Sequence, residues 1–226
     1  GASGSNGCAS SHNGSGHHFS TSSIVDQRYR LPCNTPKRDA VLVLGINATL
    51  ADIEWDEDRT PQAEAAWERL GSHLGFTSTR PEKLYGKGPD NLWALAGDRH
   101  AVVEMKTGCT TDMIAKKDVD QLGGSVRWDQ DNHPGITSIP GITSIPIMVH
   151  PSRIVNHQGT PVPGMRVITA AKLDELKTAV RSFAVALADG QGRWYDEQGV
   201  SVQLTQARLT AGKFLNAFTE VNLVES

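Results

Sequence analysis

The sequence predicts an α/β domain in which helices pack against a mixed sheet. Three observations carry this reading. Segments with apolar residues at helical spacing alternate along the chain with short β-rich runs. Hydrophobic residues make up 38% of the 226, which is enough for a packed core. Gly97-Asp98-Arg99 separates two apolar runs in the manner of a β-hairpin.

Residues 1–36 are read as a disordered or linker tail. The first 23 are Gly- and Ser-rich and short of large apolar groups, so they bury too little surface to offset ordering entropy. His17-His18 hints at metal binding, although paired tail histidines are usually inert. Ordered structure is expected from residue 37, and the apolar stretch 41–47 reads as a strand. A helix follows at 60–76, with Thr60 as N-cap, Pro61 at its first position and Glu64 in its opening turns. Trp67, Leu70 and Leu74 form its apolar stripe.

After the hairpin of 90–106, a second helix is expected over 110–128, with Val119, Leu122 and Val126 on one side. Gly123-Gly124 either breaks that helix or admits a close neighbour. Strands are expected at 145–150 and 165–169. A helix at 170–188 turns Leu173, Leu176, Val180, Phe183 and Leu187 inward, and a last helix covers about 203–218. PGITSI occurs twice in tandem within 134–146, which reads as a tolerated loop duplication.

The net charge of −3 argues mildly against a protein that coats nucleic acid, but allows a local groove that holds it. No apolar run is long enough to span a bilayer, so no membrane is expected as partner. The N-terminus lacks a basic and then apolar leader. Cys8, Cys33 and Cys109 are odd in number, widely spaced and without zinc spacing, which fits a reducing cytoplasm. The chain does not begin with Met, which fits either a fragment of a longer protein or a trimmed chain.

The hairpin carries the most chemistry. Strand side chains alternate, so Glu104 and Lys106 share a face while Met105 points away with Val103. A turn centred on Asp98 sets residue 90 opposite 106 and 92 opposite 104, which gathers Asp90, Glu104 and Lys106. Two carboxylates suit a hard divalent cation such as Mg²⁺, with the Met105 carbonyl as a further ligand. Such a cation polarises a phosphoryl oxygen and acidifies a bound water. A neighbouring lysine positions the attacking water or offsets charge on phosphorus. The plain alternative is a surface hairpin with cross-strand ion pairs worth about 0–1 kcal/mol.

Pro89-Asp90, then thirteen residues, then Glu104-Met105-Lys106 at the end of an apolar strand resembles the PD-(D/E)xK nuclease superfamily. The likeness covers about residues 60–150. It implies a restriction-endonuclease-like core over 37–226, a mixed β-sheet flanked by helices, and a Mg²⁺-dependent nuclease (Mn²⁺ substituting) acting on nucleic acid, DNA favoured. It implies Asp90 and Glu104 as metal ligands, Lys106 as the catalytic lysine and Gln121 as a helix residue of the site. A further acidic ligand is implied on the preceding helix, Glu64 first and Glu68 as alternative. Lys117 and Asp118 lie on the same helix face as Gln121, and Arg80, Lys83 and Arg153 are candidate phosphate contacts. His150 and Ser152 lie beside Arg153 at the end of a strand, and Cys109 reads as a small buried or half-buried residue with no sign of a nucleophile.

The text of 74–95 also resembles nuclease-like domains at the C-terminus of bacterial superfamily-2 helicases, which implies a helicase domain as partner. No P-loop, GxSxG, GxGxxG or HExxH is present, so the chain carries no helicase motor of its own. The alternative function is a non-catalytic nucleic-acid-binding or helicase-associated module of the same fold. A third is a metal-free structural domain whose hairpin charges only pair with each other.

Overall fold

The structure is a computed structural model that describes residues 37–133, 144–189 and 196–225. The tail with His17-His18, and most of the PGITSI duplication, lie outside these residues. The described chain builds a six-stranded mixed sheet flanked by helices.

Helix α1 spans Lys37–Ala51. The expected strand at 41–47 lies inside it. A short apolar run does not by itself separate strand from helix, and here burial shows which period won. Ile46 and Leu50, four residues apart, are buried, while Val41 and Leu44 stay 67% and 66% exposed. A single 3-10 turn, Glu57–Arg59, then leads into α2, Thr60–His73. Asp56 caps that turn by accepting from the Asp58 N–H at 3.0 Å. The helical path therefore starts ahead of Thr60, which is not the N-cap expected, although Pro61 does sit in the first turn of α2.

Strand β1 (Thr77–Thr79), helix α3 (Pro81–Tyr85), strand β2 (Asn91–Leu95) and strand β3 (Arg99–Met105) come next. β1 pairs with β2, and β2 with β3, both antiparallel. The pairing Asn91↔Val103 and Leu95↔Arg99 centres the turn on Gly97 and corrects the register expected from a centre at Asp98. Gly97 and Asp98 both take positive φ, 76° and 55°, which a glycine followed by an aspartate accommodates readily. Continued by one residue, this ladder sets Asp90 opposite Glu104 instead of Lys106.

Helix α4 spans Lys116–Asn132 and returns the chain to β4, Ser144–Val149, parallel to β3. The helix expected from 110 starts later because residues just before it pair elsewhere. The Ile114 N–H donates to Ile154 O at 2.7 Å, and the Asn156 N–H donates to Ile114 O at 3.0 Å. α4 runs unbroken through Gly123-Gly124. A side chain at Gly124 would meet open space, and one at Gly123 only ordinary contacts, so packing does not account for the pair.

Strand β5 (Ile154–Val155), strand β6 (Arg166–Ile168) and helix α5 (Ala170–Ala188) follow. The last expected helix is two: α6, Glu197–Gln206, and α7, Ala211–Phe218. Between them Arg208 adopts φ 60°, and the Leu209 N–H donates to Leu204 O at 2.8 Å, closing the helix end in a left-handed turn. Strands β7 (Glu220–Val221) and β8 (Leu223–Val224) end the chain. The sheet order is β1-β2-β3-β4-β6-β7, with β5 and β8 forming a separate pair.

The sheet separates two apolar clusters by strand alternation. Trp93, Val103, Met105, Ile147, Val149 and Ile168 face α1, α2, α5, α6 and α7. Leu92, Val102, Met148 and Val167 face α4. α2 approaches β2 closely at Gly71, where a Cβ would stand 2.4 Å from Trp93 Nε1. Trp67 stacks on Trp93 with ring centroids 5.2 Å apart. These contacts hold the second half of α2 against the middle of β2. No helix among the described residues is long and apolar enough to cross a membrane.

Candidate active site

A cleft of ≈ 490 Å³ opens where β2 begins and β3 ends, between α2, α3 and α4. Its lining includes Glu64, Glu82, Asp90, Met105, Lys106 and Gln121, together with Glu57, Cys109, Lys117 and Asp118. Glu68 is not among the residues of the wall. Of the two acids considered on α2, the fold therefore brings Glu64 to the cleft.

Asp90 is buried, and its Oδ2 accepts from the Met105 N–H at 2.7 Å. That bond replaces the ladder bond that β2 could supply one residue earlier, and it ties the acid to the end of β3. Burial comes first in pushing the Asp90 carboxyl up to about 9, followed by the Glu104 charge and a hydrogen bond with Glu82. Two carboxyl groups share such a bond only when one of them holds a proton.

Glu104 is 0% exposed. Its Oε1 accepts from Ser125 Oγ at 2.6 Å, and its Oε2 faces Lys106 Nζ at 3.5 Å. Burial raises its pKa, while Ser125 and Lys106 work in the opposite direction. Lys106 Nζ also donates to Gln121 Oε1 at 2.7 Å. Asp90, Glu104, Lys106 and Gln121 thus come together. Met105 borders the same cleft, with its side chain in the core and the Asn91 amide 3.7 Å from its sulfur.

Glu64 is ion-paired with Arg80, so much of its charge is already offset. Asn91 Nδ2 donates to Glu64 O at 3.1 Å and locks this turn of α2 over β2. Arg80 occupies the N-cap position of α3 without a side-chain capping bond, and Lys83 lies in the last turn of that helix. Arg153 lies away from the cleft wall and faces Glu220 at 3.5 Å. His150 is fully buried, its Nδ1 within hydrogen-bond reach of the Ser152 backbone, and burial lowers its pKa. Cys109 is a free, half-buried thiol whose pKa burial raises.

Sequence reasoning missed Glu82, Ser125 and Asp129. The last two had a legible signal. Gln121, Ser125 and Asp129 recur every fourth residue along α4, hence on one face. They meet Lys106, Glu104 and His100 on one face of β3. Helix period and strand period thus produce a matched polar row beside the apolar contacts of Val119, Leu122 and Val126. Glu82 had no such signal, because its approach to Asp90 depends on how α3 folds back.

Asp90, Glu64 and Glu82 offer the cleft carboxylate oxygens of the kind a hard divalent cation takes, whereas Glu104, fully buried, is not among the residues of the wall. Asp90 keeps Oδ1 for such a cation beyond its bond to Met105. No family model, curated protein or solved structure matches this chain, so the site rests on its own geometry.

Proposed function

We propose that this cleft is the hydrolytic centre of a divalent-metal-dependent nuclease of PD-(D/E)xK type, with a restriction-endonuclease-like core and DNA as favoured substrate. One observation carries the reading. Two buried acids, Asp90 and Glu104, lie opposite each other at the end of the hairpin, with the Lys106 ammonium 3.5 Å from Glu104. Unpaired like charges in such a place are costly. A divalent cation would stabilise both ionised forms. The antiparallel β2–β3 hairpin, followed by α4 and the parallel β4, supports the fold side of the proposal.

Asp90 and Glu104 would hold Mg²⁺, or Mn²⁺ in its place, with Glu82 or Glu64 and the Met105 carbonyl as further ligands. When bound, the cation supplies Lewis-acid activation of the phosphate and of a water. Gln121 orients the Lys106 ammonium, which then stabilises charge on the phosphoryl oxygens. Ser125 fixes the Glu104 carboxylate from beneath. Lys117 stands at the wall as a further cation for the nucleic-acid backbone. Cytoplasmic location and a helicase partner remain part of the proposal, resting on cysteine usage and on the resemblance of 74–95.

The complete burial of Glu104 favours a second reading, a non-cleaving nucleic-acid-binding module whose Glu104–Lys106 pair is structural. Labelled linear, circular and single-stranded DNA, incubated with Mg²⁺ or Mn²⁺, separates the two. The nuclease reading expects product from the parent and at least about a hundredfold loss in Lys106→Ala. Equal product from both proteins refutes the role of Lys106. DNA bound without product by either one establishes the binding module.

A further inference from the structure

The far end of the polar row between β3 and α4 carries a second constellation. Asp129, on α4, is fully buried. Its Oδ1 stands 2.8 Å from His100 Nδ1 and 2.9 Å from His133 Nδ1. Its Oδ2 accepts from Ser144 Oγ at 2.6 Å. The two imidazole rings meet edge to face, with centroids 4.8 Å apart and an interplanar angle of 85°. One donor atom from each of the three residues falls within 4.8 Å of the others.

A single carboxylate oxygen facing two imidazole nitrogens has the composition of a transition-metal ligand set. Donors sharing a tetrahedral Zn²⁺ lie about 2.0–2.1 Å from the ion, hence about 3.3 Å from one another. To match, the 2.8 and 2.9 Å separations would lengthen by about 0.5 Å and the widest, within 4.8 Å, would shorten. The bond from Ser144 holds Oδ2 and turns Oδ1 toward the two imidazole nitrogens, with which it would share an ion, the usual support of a ligating carboxylate. The His133 side chain is 39% exposed, against 13% for His100, so a path from solvent reaches the cluster from the His133 side.

We propose that His100, Asp129 and His133 bind a borderline divalent transition-metal ion of the Zn²⁺ class, separately from the acidic cleft. Imidazole-rich sets select such ions over Mg²⁺. His100 lies four residues before Glu104 on the same strand, a span of about 13 Å, so this ion does not serve the cleft. Its effect is mechanical. His133 follows the last turn of α4, Ser144 opens β4 and His100 belongs to β3. The ion would clamp all three beside the hairpin turn and bring together both flanks of the connection 134–143.

The full chain, stripped with chelator, is titrated with Co²⁺ and followed by visible ligand-field absorption, then with Zn²⁺ and followed by thermal melting. One tight equivalent is expected. Zn²⁺ at about 100-fold above Kd should raise Tm by about 5–10 °C. His133→Ala changes a half-exposed residue at the helix end and should still fold, yet lose affinity at least about tenfold. His100→Ala should do the same, and Asp90→Asn should leave the Co²⁺ spectrum unchanged. No ligand-field band, or a tight equivalent insensitive to both histidine variants, overturns the proposal. So does a band lost only in Asp90→Asn, which would put the ion in the cleft.

Discussion

Replacing Asp90 by Asn tests the central electrostatic feature of the cleft. The amide keeps an oxygen able to accept from the Met105 N–H, as Oδ2 of Asp90 does at 2.7 Å, but cannot ionise. In the folded parent the Asp90 carboxyl titrates near 9, against 3.8 for an ordinary aspartate. Between those limits the folded protein holds a proton that the unfolded chain has released. Stability from this group is therefore complete below the unfolded value, falls as pH rises through the window and levels off above the folded value. The slope is about 1.4 kcal/mol per pH unit, so the parent should lose about 4 kcal/mol relative to Asp90→Asn between pH 5 and pH 8. For a chain of this size that is a change of about 8–16 °C in the Tm difference. Thermal melts in chelator at each pH provide the measurement. Saturating Mg²⁺ should recover most of the loss in the parent and little in the variant, because the cation replaces the proton. Parallel Tm–pH curves for the two proteins in chelator would refute the burial and charge argument.

Two further substitutions probe the helix behind the cleft. Ser125→Ala removes the 2.6 Å bond to buried Glu104 and should cost about 1–3 kcal/mol, or about 2–12 °C in Tm; an unchanged melt would mean that the bond does not support the carboxylate. Gly124→Ala adds a methyl group in open space within α4 and should raise stability by about 0.5–1 kcal/mol. A lowered Tm there would show that the glycine answers to a packing constraint after all.

The hairpin, and the residues gathered at its open end, were legible before any tertiary information. Period-2 alternation put Glu104 and Lys106 on one face, and the two apolar runs flanking Gly97-Asp98-Arg99 located the bend to within a residue. The same locality explains α5, found at the residues its apolar spacing marked out. The error of one residue in the centre of the turn mattered, since it moved Asp90 from opposite Lys106 to opposite Glu104. Two adjacent residues able to take positive φ leave that choice open until the cross-strand ladder is formed. The stretch 41–47 failed for a different reason. Its apolar residues satisfy either period, and only packing against the rest of the core decides which ones are covered.

By itself, the order of residues determined where strand and helix periods run, which acids and which lysine accompany the bend, and that α4 carries a polar row every fourth position. These follow from short-range geometry, in which neighbouring φ and ψ values set the direction of each side chain. Tertiary structure alone decided that Glu82 would join Asp90 in the cleft wall, that Arg80 would neutralise Glu64, and that His100 would meet Asp129 and His133. Those encounters join elements whose relative placement depends on how two apolar faces of one sheet are covered. The energy that sets that placement is spread over the whole core and written in no single motif.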